Sequence, residues 1–197
     1  MEIEAIPTLV QDDFGGTTAD VNTPVNAGNG QIYGFEFGGQ YAFGYDLAPW
    51  MKGFGIAANY THTHSQSNAA PTSFSSSNSI PGVADDAVSG TLYYERAGFS
   101  ARASYSWRSK AVNDSLVGAT FSFPDQNGVN KTYQVFEAAY GQLDGQVGYD
   151  FGNHFGIFAQ VQNATNQAQH TYLQWPNLPF TYDDSGRRYF LGFKFKM

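Results

Sequence analysis

Residues 32–45 read IYGFEFGGQYAFGY, and this stretch decides the fold. Tyr33, Phe35, Phe37, Tyr41, Phe43 and Tyr45 share one parity, while Gly34, Glu36, Gly38, Gln40 and Ala42 share the other. Successive side chains of a strand point to opposite faces, so this alternation describes a strand with one apolar and one small or polar face.

The same pattern recurs along the chain. In residues 53–64, Phe54, Ile56, Ala58 and Tyr60 oppose Gly55, Ala57, Asn59 and Thr61. In 86–96, Val88, Leu92 and Tyr94 oppose Ser89, Thr91 and Glu95. After Ala97-Gly98, Phe99, Ala101, Ala103, Tyr105 and Trp107 oppose Ser100, Arg102, Ser104, Ser106 and Arg108. In 138–151, Leu143, Val147, Tyr149 and Phe151 oppose Gln142, Asp144, Gln146 and Asp150, and in 154–162, Phe155, Ile157, Ala159 and Val161 oppose Gly156, Gln160 and Gln162. The closing RRYFLGFKFKM sets Tyr189, Leu191, Phe193, Phe195 and Met197 against Arg188, Gly192, Lys194 and Lys196. Each segment approaches the roughly 9–11 residues that a tilted strand needs to cross the hydrocarbon layer.

Connections carry as much information as strands. Short links at 46–52, 97–98 and 150–153 alternate with long ones at 64–85, 111–136 and 166–186. Short periplasmic turns alternating with long extracellular loops are a property of outer-membrane barrels. The expectation is an all-β fold: a transmembrane antiparallel up-and-down β-barrel contributing seven strands, or eight if another precedes Phe14. Residues 1–30, with the turn-rich NTPVNAGNG, read as an extracellular loop with a possible partial strand, and 31–197 as barrel. Tyr45, Tyr94, Tyr149 and Phe195 fall near the periplasmic ends, and Tyr60 and Trp107 near the extracellular ends, where amphipathic rings settle.

Composition agrees with a chain whose surface is lipid. Of 197 residues, 17% are aromatic and only 14% charged, against about 25% charged in soluble domains. No apolar run is long enough for a transmembrane helix. A net charge of -7 argues against nucleic acid, because no basic patch can neutralise phosphates. Without cysteine there is neither a disulfide nor a thiolate site. The opening MEIEAIPTLVQDD lacks the basic and apolar regions of a secretory signal, so the natural N-terminus is expected upstream.

Five stretches, in order and spacing, resemble the C-terminal barrel region of TonB-dependent outer-membrane receptors. They are PVNAGNGQIYGFEF (24–37), LAPWMKGFGIAANYTHTHS (47–65), LYYERAGFSARASYSWRSK (92–110), FGIFAQVQNATNQ (155–167) and GRRYFLGFKFKM (186–197). The resemblance implies a barrel of about 22 strands around an N-terminal plug. It also implies energised uptake of a scarce nutrient, of carbohydrate or siderophore type, at the bacterial cell outer membrane. Implied partners are the remaining strands and plug, TonB through an N-terminal region, outer-membrane lipid and lipopolysaccharide, and a small-molecule ligand. Neither plug nor TonB box is found in this sequence, and its end, Phe195-Lys196-Met197, departs from the usual aromatic terminus. That departure is expected to weaken the assembly signal read there.

Seven strands leave two edges of unpaired backbone, each group costing several kcal/mol in lipid, so further strands are expected from outside these segments. Two other readings fit alternation: a complete small outer-membrane barrel with a structural, adhesin or enzymatic role, and a soluble barrel with its apolar faces turned inward.

Candidate site residues follow from parity and loop position. Arg102, Arg108, Lys110, Asp144, Lys194 and Lys196 take the inward parity, where contact with plug or ligand competes with simple tolerance of polarity in a wet lumen. Arg108 and Lys110 lie nearest the extracellular mouth. The loop HTYLQWPNLPFTYDD, 170–184, gathers Tyr172, Trp175, Phe180 and Tyr182, rings that can stack on a ligand or form the loop's own core. The ligand set expected is therefore Arg108, Lys110, Tyr172, Trp175 and Tyr182. His62 and His64 share a face as a metal pair would, but their parity is outward and no third ligand is spaced to join them. His154 and His170 read as solvated turn and loop residues. Glu36 and Glu95 point inward on different strands at a separation sequence does not fix. No nucleophile elbow, phosphate loop or His-Glu-x-x-His helix is present, so no catalytic residue, metal or cofactor is assigned. Asn59-Tyr60-Thr61 and Asn163-Ala164-Thr165 match a glycosylation pattern by chance, both read as strand interior.

Overall fold

The computed structural model describes residues 29–44, 48–67, 79–113, 121–152 and 154–195. Among them thirteen strands follow in chain order. They are β1 (Gly30–Ala42), β2 (Phe54–Ser67), β3 (Asp86–Arg96), β4 (Phe99–Arg108), β5 (Ala111–Val112), β6 (Phe121–Pro124) and β7 (Asn130–Tyr133). The rest are β8 (Val135–Glu137), β9 (Tyr140–Phe151), β10 (Phe155–Gln162), β11 (Gln169–Leu173), β12 (Pro179–Asp183) and β13 (Arg188–Phe195). The possible strand before Phe14, the position of Tyr45 and the parities of Lys196 and Met197 lie outside the described residues.

All seven alternating segments join one antiparallel sheet, in the order β1-β2-β3-β4-β9-β10-β13. Its register keeps the two parities on separate faces from edge to edge. Tyr41, Ile56, Leu92, Ala103, Gly145, Val161 and Tyr189 stand opposite one another across all seven strands. One step along, Ala42, Gly55, Tyr93, Arg102, Gln146, Gln160 and Phe190 do the same on the other face. A slip of one residue would reverse a whole strand, so the pattern fixes the register.

The apolar face is bare: Phe37, Leu191, Phe193 and Phe195 are 68–78% exposed, as a lipid-facing surface requires. Rings gather at both ends of this face. Phe54 and Tyr94 lie 4.6 Å apart and Tyr149 and Phe151 4.8 Å apart beside the short turns. Tyr33 with His64, and Phe35 with His62 and Tyr60, cluster at the other end. These are the two interfacial belts.

The β3–β4 turn is a two-residue hairpin loop with positive φ at Ala97 (52°) and Gly98 (83°), the twist such hairpins favour. Gly98 is needed twice over, since a Cβ there would meet the Asp150 carbonyl oxygen at 2.6 Å.

β1 and β13 are the sheet's edges, and seven alternating strands make them run in the same direction. Antiparallel closure therefore needs an odd number of further strands; the described strands cannot close on themselves in that way.

The long connections have structure that the alternation does not reveal. β12-β11-β8-β5 forms a four-stranded sheet, and β6 pairs with β7. The loop sheet draws β5 and β8 from one long connection and β11 and β12 from the other, around a core of Val112, Phe136 and Tyr172. The β2–β3 connection joins it, because Gly82 N donates to Val112 O at 2.8 Å. Three long loops are thus tied into one cap over one end of the wall.

The β6–β7 turn is held by Asp125, whose Oδ1 accepts from Asn127 N at 2.8 Å and Val129 N at 3.0 Å. These donors, Val129 first, pull its carboxyl below the ordinary 3.8. A depressed folded pKa means that the turn gains stability above the unfolded value and loses it as pH falls through the folded one. The amide shifts of Asn127 and Val129 should titrate together with a midpoint below 3.8. A midpoint at or above that value would contradict the bonding.

Candidate functional site

Hydrogen-bonding side chains concentrate on the polar face beneath the loop cap. Asn59 and Thr61 on β2, Ser89 on β3, Ser106 and Arg108 on β4 and Tyr140 on β9 line a groove of about 300 Å³. They meet because Asn59, Ser89, Ser106 and Gln142 are register partners, as are Ala87, Arg108 and Tyr140. A larger concavity of about 520 Å³ lies mainly on the apolar face, among Leu92, Ala101, Ala103, Val147 and Ala159. On a lipid-facing surface acyl chains fill such a hollow, and it offers almost nothing to orient a polar ligand.

Polar groups around the groove are mostly engaged. Asn59 Nδ2 donates to Glu36 Oε1 at 2.5 Å, and Thr91 and Ser104 share a hydrogen bond of 3.0 Å. Tyr140 OH donates to Gln142 Oε1 at 2.8 Å, and Gln142 Nε2 donates to Asp144 Oδ1 at 2.8 Å. Asn59 Oδ1 is enclosed and has no partner.

Of the expected ligand residues, three converge on β8. Arg108 forms an ion pair with Glu137, whose other oxygen accepts from Asn113 Nδ2 at 3.0 Å. Lys110 Nζ lies 5.4 Å from the centroid of the Phe136 ring. Tyr172 stacks on that same ring, with centroids 5.6 Å apart and planes at 17°. It is 5% exposed, and burial pushes its hydroxyl pKa up, so its ring serves the loop core. Trp175 and Tyr182 stand apart from this cluster. Trp175 is 45% exposed beside Tyr133, and Tyr182 is 72% exposed beside His170. His170 is accordingly a β11 residue with a ring partner.

Replacing Glu137 with Gln removes the counter-charge of Arg108 at a pair only 29% and 18% exposed. The expected loss is about 1.5–3 kcal/mol of cap stability. Faster protease cleavage within 109–139, with the membrane strands still resistant, would report it; unchanged cleavage would contradict it.

His62 Nδ1 lies 2.9 Å from Asp86 Oδ1, which also accepts from Tyr60 OH at 2.7 Å. His64 instead packs on Tyr33. No group of three potential metal ligands occurs among the described residues.

Alternation gives no sign of Glu137, Tyr140 or Asn163. Asn163 is outside the strand, immediately after β10, with φ of 53°, so the strand-interior reading of that position is corrected. It is 5% exposed and fully engaged. Its Nδ2 donates to the carbonyls of Gln167 at 3.0 Å and Gly186 at 3.3 Å, its Oδ1 accepts from Gln167 N at 2.8 Å, and its own N donates to Asp144 Oδ1 at 2.9 Å. One residue thus ties the base of the 163–187 loop together through its side chain and to the wall through its backbone N–H.

A sheet with one lipid-suited face, one polar face and its long loops gathered at one end is a segment of outer-membrane barrel wall. The chain belongs to the TonB dependent receptor-like, beta-barrel family, whose model matches residues 2–164, a span that includes β1 to β10. No curated protein and no solved structure matched it. The family is one of outer-membrane receptors that serve transport.

Proposed function

We propose that this chain forms part of the wall of an outer-membrane receptor that imports a scarce nutrient with energy delivered by TonB. The observation that carries this reading is the segregation of the sheet, apolar outside and hydrogen-bonding inside, beneath a cap assembled from three loops. A water-filled or plug-filled lumen tolerates and uses such an inner face. The remaining strands, a plug and TonB are the expected partners, with lipid and lipopolysaccharide against the outer face. A carbohydrate or a siderophore-type chelate is the ligand class considered. Arg108 and Lys110 at the mouth, and Trp175 and Tyr182 on the cap, are the side chains proposed to meet it. Tyr172 would act by holding Phe136 in place.

Deleting the gene should abolish growth on one limiting nutrient among panels of oligosaccharides and ferric chelates. Complementation should restore growth only when TonB is present. Growth independent of TonB on every source would overturn the transport reading and favour a complete small barrel, for which a single added strand satisfies the parity of closure.

A further inference from the structure

We propose that the outer face of the sheet seats one phospholipid, with its phosphate on Arg96 and one acyl chain in the hollow floored by Ala101, Ala103, Gly145, Val147 and Ala159. The proposal rests on that face meeting lipid and is independent of what the receptor imports. Short side chains on β4, β9 and β10 sink this strip below the bulky Phe54, Leu92 and Tyr94 at one end and Tyr189 at the other. The register partners Phe99, Tyr149 and Ile157 border it towards the short turns, and Tyr105 and Leu143 towards the loop cap. From β3 to β13 the hollow crosses four strand spacings, about 19 Å. With strands tilted by about 45°, that path rises by about 13 Å, against about 15 Å for half of the hydrocarbon core. It matches the depth of one acyl chain in one leaflet. Strand ends give the hollow a direction. Tyr94 is two residues from the short-turn end of β3, whereas its row partners Val147 and Ala159 are four residues from those ends of β9 and β10. The β3 end therefore opens nearest the short turns, the periplasmic side of such barrels, and Arg96 stands there.

Charge selects the head group. Arg96 shares the parity of Leu92 and Tyr94, is exposed, and has Phe99 as its register partner. Among the described residues it has no ion pair. Its neighbour Glu95 takes the opposite face by parity, and Asp150 is held on that face by Lys194. The outward side chains around it, Phe54, Tyr94, Phe99 and Tyr149, are aromatic and supply no acid. A guanidinium at the edge of the hydrocarbon gains most from an anion whose oxygens match its fork, and a phosphodiester does. Trp50, 70% exposed on the turn Pro49–Met51, adds an interfacial ring, and Glu95 N donates to Gly53 O at 2.8 Å to tie that turn to the end of β3. Free phosphate would satisfy the fork and leave the hollow unfilled, whereas a phospholipid occupies both.

The test is native mass spectrometry of the complete receptor, delipidated in detergent and offered one of three probes. These are dipalmitoyl phosphatidylglycerol, dipalmitoylglycerol, which lacks the phosphate, and glycerol 3-phosphate, which lacks the chains. Phosphatidylglycerol should bind saturably, and the other two should not. Arg96→Gln removes the phosphate contact and should weaken that binding about tenfold or more. Ala103→Phe fills the hollow and should weaken it by about as much. Ala58→Phe, on the same face of β2 but outside the hollow, should leave it unchanged. Heat-modifiable electrophoretic mobility verifies that each variant is folded, and Arg96→Gln decides alone if Ala103→Phe is not. Equal retention of dipalmitoylglycerol, displacement by glycerol 3-phosphate, equal loss in Ala58→Phe, or binding that ignores Arg96→Gln overturns the proposal. If no phosphatidylglycerol binds, oxygen collisions with nitroxides at positions 146 and 147 locate the failure. Collisions high at 147 alone overturn the seat and leave the lipid face standing, whereas equal collisions overturn the lipid face itself.

Discussion

Val147→Lys should remove about 2–4 kcal/mol of stability from the membrane-inserted protein, the cost of a cation on a lipid face near the midplane. Val147 sits in the interior of β9, 49% exposed, between Ala101 and Ala159 on the apolar face. Those neighbours are too short to shield an ammonium, and neither offers an acceptor. Gln146, the adjacent residue on the opposite face, provides the control, because Gln146→Lys places the same charge among Arg102 and Gln160 on the polar side. Urea unfolding in liposomes should separate the two variants by about the full 2–4 kcal/mol. Equal stabilities would mean that the faces are not differently solvated.

The second large effect is expected at Asn163. Asn163→Ala deletes three side-chain hydrogen bonds at a position 5% exposed and leaves the Gly186 and Gln167 carbonyls without their donor. It also leaves a Cβ residue without local bonding at φ of 53°, a region that costs such residues about 1–3 kcal/mol. With about 1–3 kcal/mol for part-buried groups left unpaired, the loop base should lose about 2–6 kcal/mol. Asn163→Gly separates the contributions, because glycine accepts the backbone angle and lacks only the bonds. Protease cleavage within 163–187 should rise most in the alanine variant and by an intermediate amount in the glycine variant. If glycine matches wild type, the side-chain bonds contribute nothing; if the two variants match, the backbone angle does not.

Sequence reading succeeds where the membrane imposes a rule and fails where local packing does. The wall was legible because lipid on one side and water or plug on the other force strict alternation, so Ile56, Leu92 and Val161 could be assigned a face individually. Arg108 takes its place on the hydrogen-bonding face for the same reason, whereas Lys110 lies past the end of β4, where alternation no longer applies. The cap obeys no such rule. β5 has two residues and β8 three, too short for any period, and their core joins Val112, Phe136 and Tyr172 from distant segments. Along β11 the register shifts between Thr171 and Tyr172, so parity does not sort its buried from its exposed rings. Tyr172 and Tyr182 therefore look alike in sequence, though one is 5% and the other 72% exposed. Asn163 did leave a signal. Asn-Ala-Thr-Asn directly after a strand is turn chemistry, and both asparagines take positive φ.

The central claim is that one face of this sheet meets lipid and the other does not. Because the chain has no cysteine, single cysteines can be placed at each position from 142 to 149 and given a nitroxide label in the reconstituted receptor. Collisions with oxygen, which partitions into lipid, should be high at Leu143, Gly145, Val147 and Tyr149 and low at Gln142, Asp144, Gln146 and Gly148. Collisions with a water-soluble nickel chelate should be low at all four lipid-facing positions. Accessibility without a period of two, or with the parities exchanged, would contradict the account.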